Sequence, residues 1–248
     1  MNAALLLSGG VGTRMHSDVP KQYICINNKM IITYSLETLV YSPVIDEIQI
    51  VAEEEWREFI VADARKHGIP TEKIKGFAIP GYNRQTSILN GMQNILRQKN
   101  GIVDVGNVDE KDNLLIHDAA RPLLTEKQLR DCFAMLPGHD GVMPSLPMKD
   151  TIYLSQEGDK VSELIERERL FAGQAPEVFN FRKYYLANIS LMPNRIAFIN
   201  GSTEPAVMAG MDIVMIPGDE KNFKITTKED LDRFQTFTCI DKNDNQDK

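Results

Sequence analysis

Strand-length apolar runs alternate with longer segments of helical period from Ala4 to Pro137. "ALLLS", "IDEIQIVAE", "IKGFAIP" and "NLLIHDAA" have the length and apolar density of buried strands. Between and after them stand "MIITYSLETLVYSP", "EWREFIVADARKHG", "RQTSILNGMQNILRQ" and "TEKQLRDCFAMLP". In the second of these, Trp56, Phe59, Ile60 and Ala64 recur at three- and four-residue steps, as one buried helix face requires. Thr125 is placed to cap the fourth. Strand and helix in alternation predict a mainly parallel sheet covered on both faces, because parallel neighbours need a crossover between them. Ligands on such sheets bind beyond the carboxyl ends of the strands, where the glycines after "ALLLS" and the stretch "HDAARP" both fall.

The expected class is therefore α/β, a Rossmann-like three-layer sandwich, and 248 residues suit one large domain with an appendage. The pattern changes near residue 143. "VMPSLPMKDTIYLS", a turn at "QEGD" and "KVSELIERERLFAGQAPEVF" predict an extended β-arm over about 145–175. A lone hairpin is marginal in water, so the arm is expected to pack on a second subunit. The domain is expected to span 1–237, with 238–248 a polar C-terminal tail. No apolar run approaches the roughly 18 residues of a membrane span. "MNAALLLSGG" lacks the basic start of a signal peptide, so the expected setting is the cytoplasm. Cys25, Cys132 and Cys239 have no metal-like spacing and read as free thiols. A net charge of −7 argues against nucleic acid as partner.

The glycines belong to "LLLSGGVGTRMHSDVPKQY". A dinucleotide fingerprint would place a third glycine after Gly10-Val11-Gly12, and Thr13, Arg14 and Met15 stand there instead. An ATPase loop needs Gly-Lys-Ser/Thr, whereas Lys21 lies between Pro20 and Gln22. What remains is a loop in which Gly9, Gly10 and Gly12 let the backbone approach a polyphosphate. Arg14 and Lys21 supply charge where negative charge builds on phosphates. A plain glycine turn with surface cations has the same spacing.

"SGGVGTRMHSDVPKQY" resembles the loop of the cytidylyltransferases that make CDP-activated sugar alcohols, among them the methylerythritol phosphate and ribitol phosphate branches. "GYNRQTSILNG", "IHDAARPLL", "PMKDTIY" and "NFKITTKEDL" match the family's further stretches in order, from residue 3 to about 234. The resemblance implies CMP transfer from CTP to a polyol phosphate, with pyrophosphate released. It implies Arg14, Lys21 and Lys224 as the catalytic cations. Ser8, Gly9, Gly10, Gly12, Gly81, Arg84 and Ser87 would hold the nucleotide. Asp118, Arg121, Thr151 and Ser202 would hold the acceptor, with Thr151 supplied across a dimer interface in some members. Asp118 is also the expected ligand for Mg2+, a hard cation that takes carboxylate oxygens alongside substrate phosphates. Arg121 would grip the substrate phosphate with its planar fork. His117 reads as a packed histidine, since an ionised phosphate nucleophile needs no base.

Three departures from the family pattern stand out. Tyr82 occupies a frequently acidic place, Ala175-Pro176-Glu177 replaces Thr-Pro-Gln, and Ser202 and Thr203 stand at or beside a Thr-Asp pair. "HDAARP" favours methylerythritol phosphate as acceptor, while "NFKITTKEDL" and "GQAPEVF" lean towards ribitol 5-phosphate or another surface-polymer polyol phosphate. A nicotinamide-dependent dehydrogenase would have to dispense with the third glycine. A non-enzymatic nucleotide sensor would be marked by loss of Lys21, Arg14 or Asp118, and all three are present.

Overall fold

The structure, a computed structural model, describes residues 1–10, 19–106 and 108–244. Strand β1 (Asn2–Leu7) is followed, past the glycine loop, by a 3-10 turn (Lys21–Tyr23) and a short antiparallel pair, β2 (Cys25–Ile26) and β3 (Lys29–Met30). Helix α1 (Ile31–Tyr41), β4 (Glu47–Val51), α2 (Glu54–Lys66), β5 (Ile74–Ala78), α3 (Arg84–Asn100), β6 (Asn113–Asp118) and α4 (Glu126–Met135) then alternate, as the apolar pattern requires. Strand β7 (Gly141–Pro147) precedes a hairpin of β8 (Ile152–Leu154) and β9 (Glu163–Ile165), and β10 (Phe171–Gly173) and β11 (Glu177–Asn180) follow it. The C-terminal part adds α5 (Phe181–Ile189), α6 (Glu204–Met208), β12 (Ile213–Pro217) and α7 (Lys228–Asp244).

Strands β5, β4, β1 and β6 lie side by side in parallel, with β1 between β4 and β6. Strand β11 runs against both β6 and β7, β10 pairs antiparallel with the far end of β7, and β12 joins β7 in parallel. Successive strand side chains point to opposite faces, so a strand covered on both sides must be apolar throughout. β1 obeys this. Ala4 and Leu6 pack with Leu36, Leu39 and Leu129, while Ala3 and Leu5 pack with Ile88, Met92 and Tyr184. Each large aliphatic side chain buried in this way contributes roughly 1.5–3 kcal/mol. Helix α3 comes close to β1 at Gly91, where a Cβ would stand 2.3 Å from Leu5 Cδ1. The result is the three-layer α/β sandwich expected.

Two N-terminal caps position helices near the site. Thr125 forms a capping box with Gln128 at α4, and Asn83 forms one with Thr86 at α3. The β8–β9 hairpin stands apart from the large sheet, with Tyr153, Leu154, Val161 and Leu164 exposed. Helix α7 crosses the expected domain end at residue 237 and runs to Asp244. Phe234 is buried on one side of α7, and Thr238 accepts a hydrogen bond from Asn27 Nδ2 at 2.9 Å, so polar residues continue a helix already packed on one face. Among the described residues, no helix is long and apolar enough to cross a membrane.

Candidate active site

Parallel strands that end at one level place their following loops along one edge. Ser8 and Gly9 follow β1, Glu53 lies beyond β4, Pro80 and Gly81 follow β5, and Asp118 ends β6. These loops wall a cleft of about 500 Å³ that also receives Lys21, Arg84, Ser87 and Lys224. The cleft thus collects Ser8, Gly9, Gly10, Lys21, Gly81, Arg84, Ser87, Asp118 and Lys224 of the expected residues. Gly12 and Arg14 lie outside the described residues.

The start of the glycine loop is fastened by its neighbour in sequence. Pro20 precedes the 3-10 turn, whose Gln22 Nε2 donates to the carbonyls of Ser8 at 2.6 Å and Gly10 at 2.8 Å. The Tyr23 hydroxyl lies 2.6 Å from Ser8 Oγ, and its ring stacks on Trp56 with centroids 4.3 Å apart. Gln22 is 3% exposed, so these bonds are shielded from water. Gly9 is needed for close approach, because a Cβ there would meet the Pro80 ring at 2.5 Å. At Gly10 a Cβ would meet nothing within 4 Å among the described residues.

Helix α3 supplies the opposite wall. The Ser87 hydroxyl accepts from the Gly81 N–H at 2.9 Å and donates to the Asn83 carbonyl at 2.8 Å. The capped first turn then projects Arg84 towards the end of β6, where Nη1 pairs with Asp118 Oδ1. Lys224 Nζ lies 3.0 Å from Asp118 Oδ2, and Arg121 Nε 3.8 Å from the same oxygen. Burial works to raise the Asp118 carboxyl, but the charges of Arg84 and Lys224 outweigh it and hold the group well below the usual carboxylate range. Adjacent His117 is fully buried, and its Nε2 donates to the Arg121 carbonyl at 3.0 Å. Burial pushes it down to about 4, which keeps it neutral at neutral pH, and the ring lies off the cleft wall.

Arg121, Ser202 and Thr151 are not on the cleft wall. Arg121 turns inward, and Nη1 donates to the Asn222 carbonyl at 2.6 Å. Ser202 is buried beneath Arg84, accepting from Nη2 at 3.1 Å and donating to Glu177. Thr151 stands exposed at the foot of the β8–β9 hairpin. The departures at 175–177 and 202–203 meet in space, since the Glu177 carboxylate accepts from both Ser202 and Thr203, the latter at 2.8 Å. Burial pushes the Glu177 carboxyl up, against the opposing pull of Arg84. Gln22, Tyr23, Glu53 and Thr226 belong to the site without having been singled out in sequence. The signal for the first two was adjacency to Pro20-Lys21, and for Thr226 its place two residues after Lys224 in "NFKITTKEDL", while nothing local marks Glu53.

Among the described residues no group of three or more acidic, histidine or cysteine side chains forms a ready metal cage. Both Asp118 oxygens are already paired, Oδ1 with Arg84 and Oδ2 with Lys224, so a cation bound there takes the place of one of these side chains and draws its other ligands from water and substrate oxygens. With Arg84 and Lys224 paired to Asp118 and Lys21 on the same wall, the cleft is built to receive a polyanion.

Residues 2–238 match the family described as IspD: 2-C-methyl-D-erythritol 4-phosphate cytidylyltransferase. The chain is 30% identical to the 2-C-methyl-D-erythritol 4-phosphate cytidylyltransferase of Clostridium acetobutylicum, over 98% of this chain and 99% of that one. It is 29% identical to the ribitol-5-phosphate cytidylyltransferase of Lacticaseibacillus paracasei, over 96% and 97%. The crystal structure of the Francisella tularensis 2-C-methyl-D-erythritol 4-phosphate cytidylyltransferase superposes with a TM-score of 0.75 at 21% identity, covering 94% of this chain and 99% of that one.

Proposed function

Because the chain belongs to the IspD family of cytidylyltransferases, we propose that its cleft transfers CMP from CTP to 2-C-methyl-D-erythritol 4-phosphate. An oxygen of the acceptor's phosphate attacks the α-phosphorus of CTP. The bond from that phosphorus to the bridging oxygen breaks, and pyrophosphate leaves with the electron pair. No proton need be removed from the nucleophile, because a phosphate monoester is largely ionised near neutral pH. Catalysis then consists of positioning and charge stabilisation.

The observation that carries this reading is the convergence of Lys21, Arg84 and Lys224 on a glycine-walled cleft at the carboxyl ends of parallel strands. Lys21 neutralises charge on the transferring and leaving phosphates, with Arg14 as its partner by resemblance. Lys224 stands over Asp118 and passes to a substrate phosphate when one arrives. Gly81 and Ser87 face the base and ribose, and Glu53 and Tyr82 form the rim. Asp118 would hold Mg2+ together with substrate phosphates, where the ion offsets polyphosphate charge. The exposed apolar hairpin suits a homodimer, each arm carrying Thr151 towards its partner's cleft. The cytoplasm is the setting we assign, and the free thiols Cys25 and Cys132 suit a reducing compartment.

A second acceptor, ribitol 5-phosphate, is favoured by one observation, the Glu177, Ser202 and Thr203 cluster beneath Arg84. It departs from the family pattern on the acceptor side and leaves the nucleotide wall intact. Lys21→Ala tests the reaction common to both acceptors. Loss of one charge-stabilising group should lower turnover about 10²- to 10³-fold. The thermal midpoint should stay in place, and unchanged turnover would remove the proposed role of Lys21.

A further inference from the structure

Lys224 is carried by an irregular strap between β12 and α7, where no helix or strand fixes its ammonium. A group that must meet a phosphate within a fraction of an ångström needs its backbone held by other means. The strap is tied at its start by Gln174, which exchanges hydrogen bonds with the Asp219 backbone at 2.9 and 3.1 Å, and further along around Lys224. Arg121 Nη1 donates to the Asn222 carbonyl at 2.6 Å, Asn222 Nδ2 donates to the Ala175 carbonyl at 2.7 Å, and the Ile225 N–H donates to the Ala120 carbonyl at 2.8 Å. Asn222 is 1% exposed and Ile225 fully buried, so Lys224 lies between two inward-facing residues. On the α7 side, Asp230 accepts from the N–H groups of Thr226 and Thr227, and Arg233 lies 4.1 Å from the centroid of the Phe223 ring.

The Arg121 guanidinium is at the centre of these ties. Its side chain is 14% exposed, it is absent from the cleft wall, and its donor at Nη1 is spent on the strap. Its backbone is fixed as well, by its N–H to the Asp118 carbonyl and by His117 to its own carbonyl. We propose that Arg121 is a positioning residue, which fixes the strap over 219–227 and so sets where the Lys224 ammonium stands over Asp118, instead of gripping the acceptor's phosphate. The inference rests on the cytidylyl-transfer reading, with Lys224 as a phosphate ligand.

The test combines a double-mutant cycle with hydrogen exchange on the full chain. Arg121→Ala should lower kcat about 10- to 100-fold, the effect of a displacement of about 1 Å, with acceptor KM changed less than about threefold. In a Lys224→Ala background the same substitution should cost less than about threefold more, because a residue acting only through another adds little once that other is gone. Exchange in peptides covering 219–227 should speed up about tenfold or more in Arg121→Ala. Asn222→Ala removes a second tie while keeping the guanidinium, and should give the same kcat loss, the same coupling to Lys224 and the same faster exchange. This keeps the claim open to test if Arg121→Ala fails to fold. A rise of more than about tenfold in acceptor KM with kcat retained would mark a substrate ligand and overturn the proposal. So would equal losses in both backgrounds, or unchanged exchange. A wild-type chain that releases no pyrophosphate from CTP would count against the proposed reaction, and exchange would still decide the part played by Arg121.

Discussion

Two buried carboxylates flank Arg84, and their surroundings push them in opposite directions. Asp118 has Arg84 and Lys224 to outweigh its burial, whereas Glu177 lies 3.9 Å from Arg84 Nη2 and its burial prevails. A carboxyl raised in the folded state binds protons there that the unfolded chain has already released. Stability then falls as pH rises above the unfolded glutamate value of about 4.3. Glu177→Gln removes that titration and restores the residue type expected from the family pattern. The midpoint of the variant relative to wild type should therefore rise as pH is raised from about 4.3 towards neutrality. A relative midpoint that stays level or falls over the same range would show that Arg84 fully compensates the buried charge. None of this pairing was legible in the sequence. The Arg84–Asp118 and Ser202–Glu177 contacts join residues 34 and 25 positions apart, and Arg121 meets Asn222 across 101 positions, so local spacing carries no trace of them.

At the scale of elements, the strand–helix alternation, the Thr125 cap and the position of the cleft were readable because each follows from periodicity or from a short-range rule. The segment from α5 to β12 was not, since its elements are short and its apolar residues belong partly to turns. Helix α3 shows how an element serves the site. Gly81 abuts its first turn so closely that a Cβ would stand 2.2 Å from Thr86 Oγ1 and 2.7 Å from the Thr86 backbone carbon. Thr86 is half of the capping box, so an added methyl group must displace the turn that aims Arg84. Gly81→Ala should cost about 1–3 kcal/mol by overpacking, read as a lowered urea midpoint. Activity should fall more steeply than stability. Wild-type stability together with wild-type turnover would mean that the turn yields without moving Arg84.

The whole molecule presents a cationic cleft in a chain of net charge −7. The sheet sets this contrast by bringing loops from β1, β4, β5 and β6 to one edge, which gathers Lys21, Arg84, Asp118 and Lys224 from across the sequence. Two of the three departures, at 175–177 and 202–203, meet beneath Arg84, and the third, Tyr82, stands on the cleft wall beside Gly81. The central claim is CTP-dependent transfer to a polyol phosphate, and the direct test is pyrophosphate release with CTP and Mg2+. 2-C-methyl-D-erythritol 4-phosphate and ribitol 5-phosphate should be offered in parallel. Turnover with 2-C-methyl-D-erythritol 4-phosphate should stand well above the rate with CTP alone; turnover confined to ribitol 5-phosphate would move the acceptor and keep the reaction, and a chain that neither binds CTP nor releases pyrophosphate with either acceptor would rule out cytidylyl transfer.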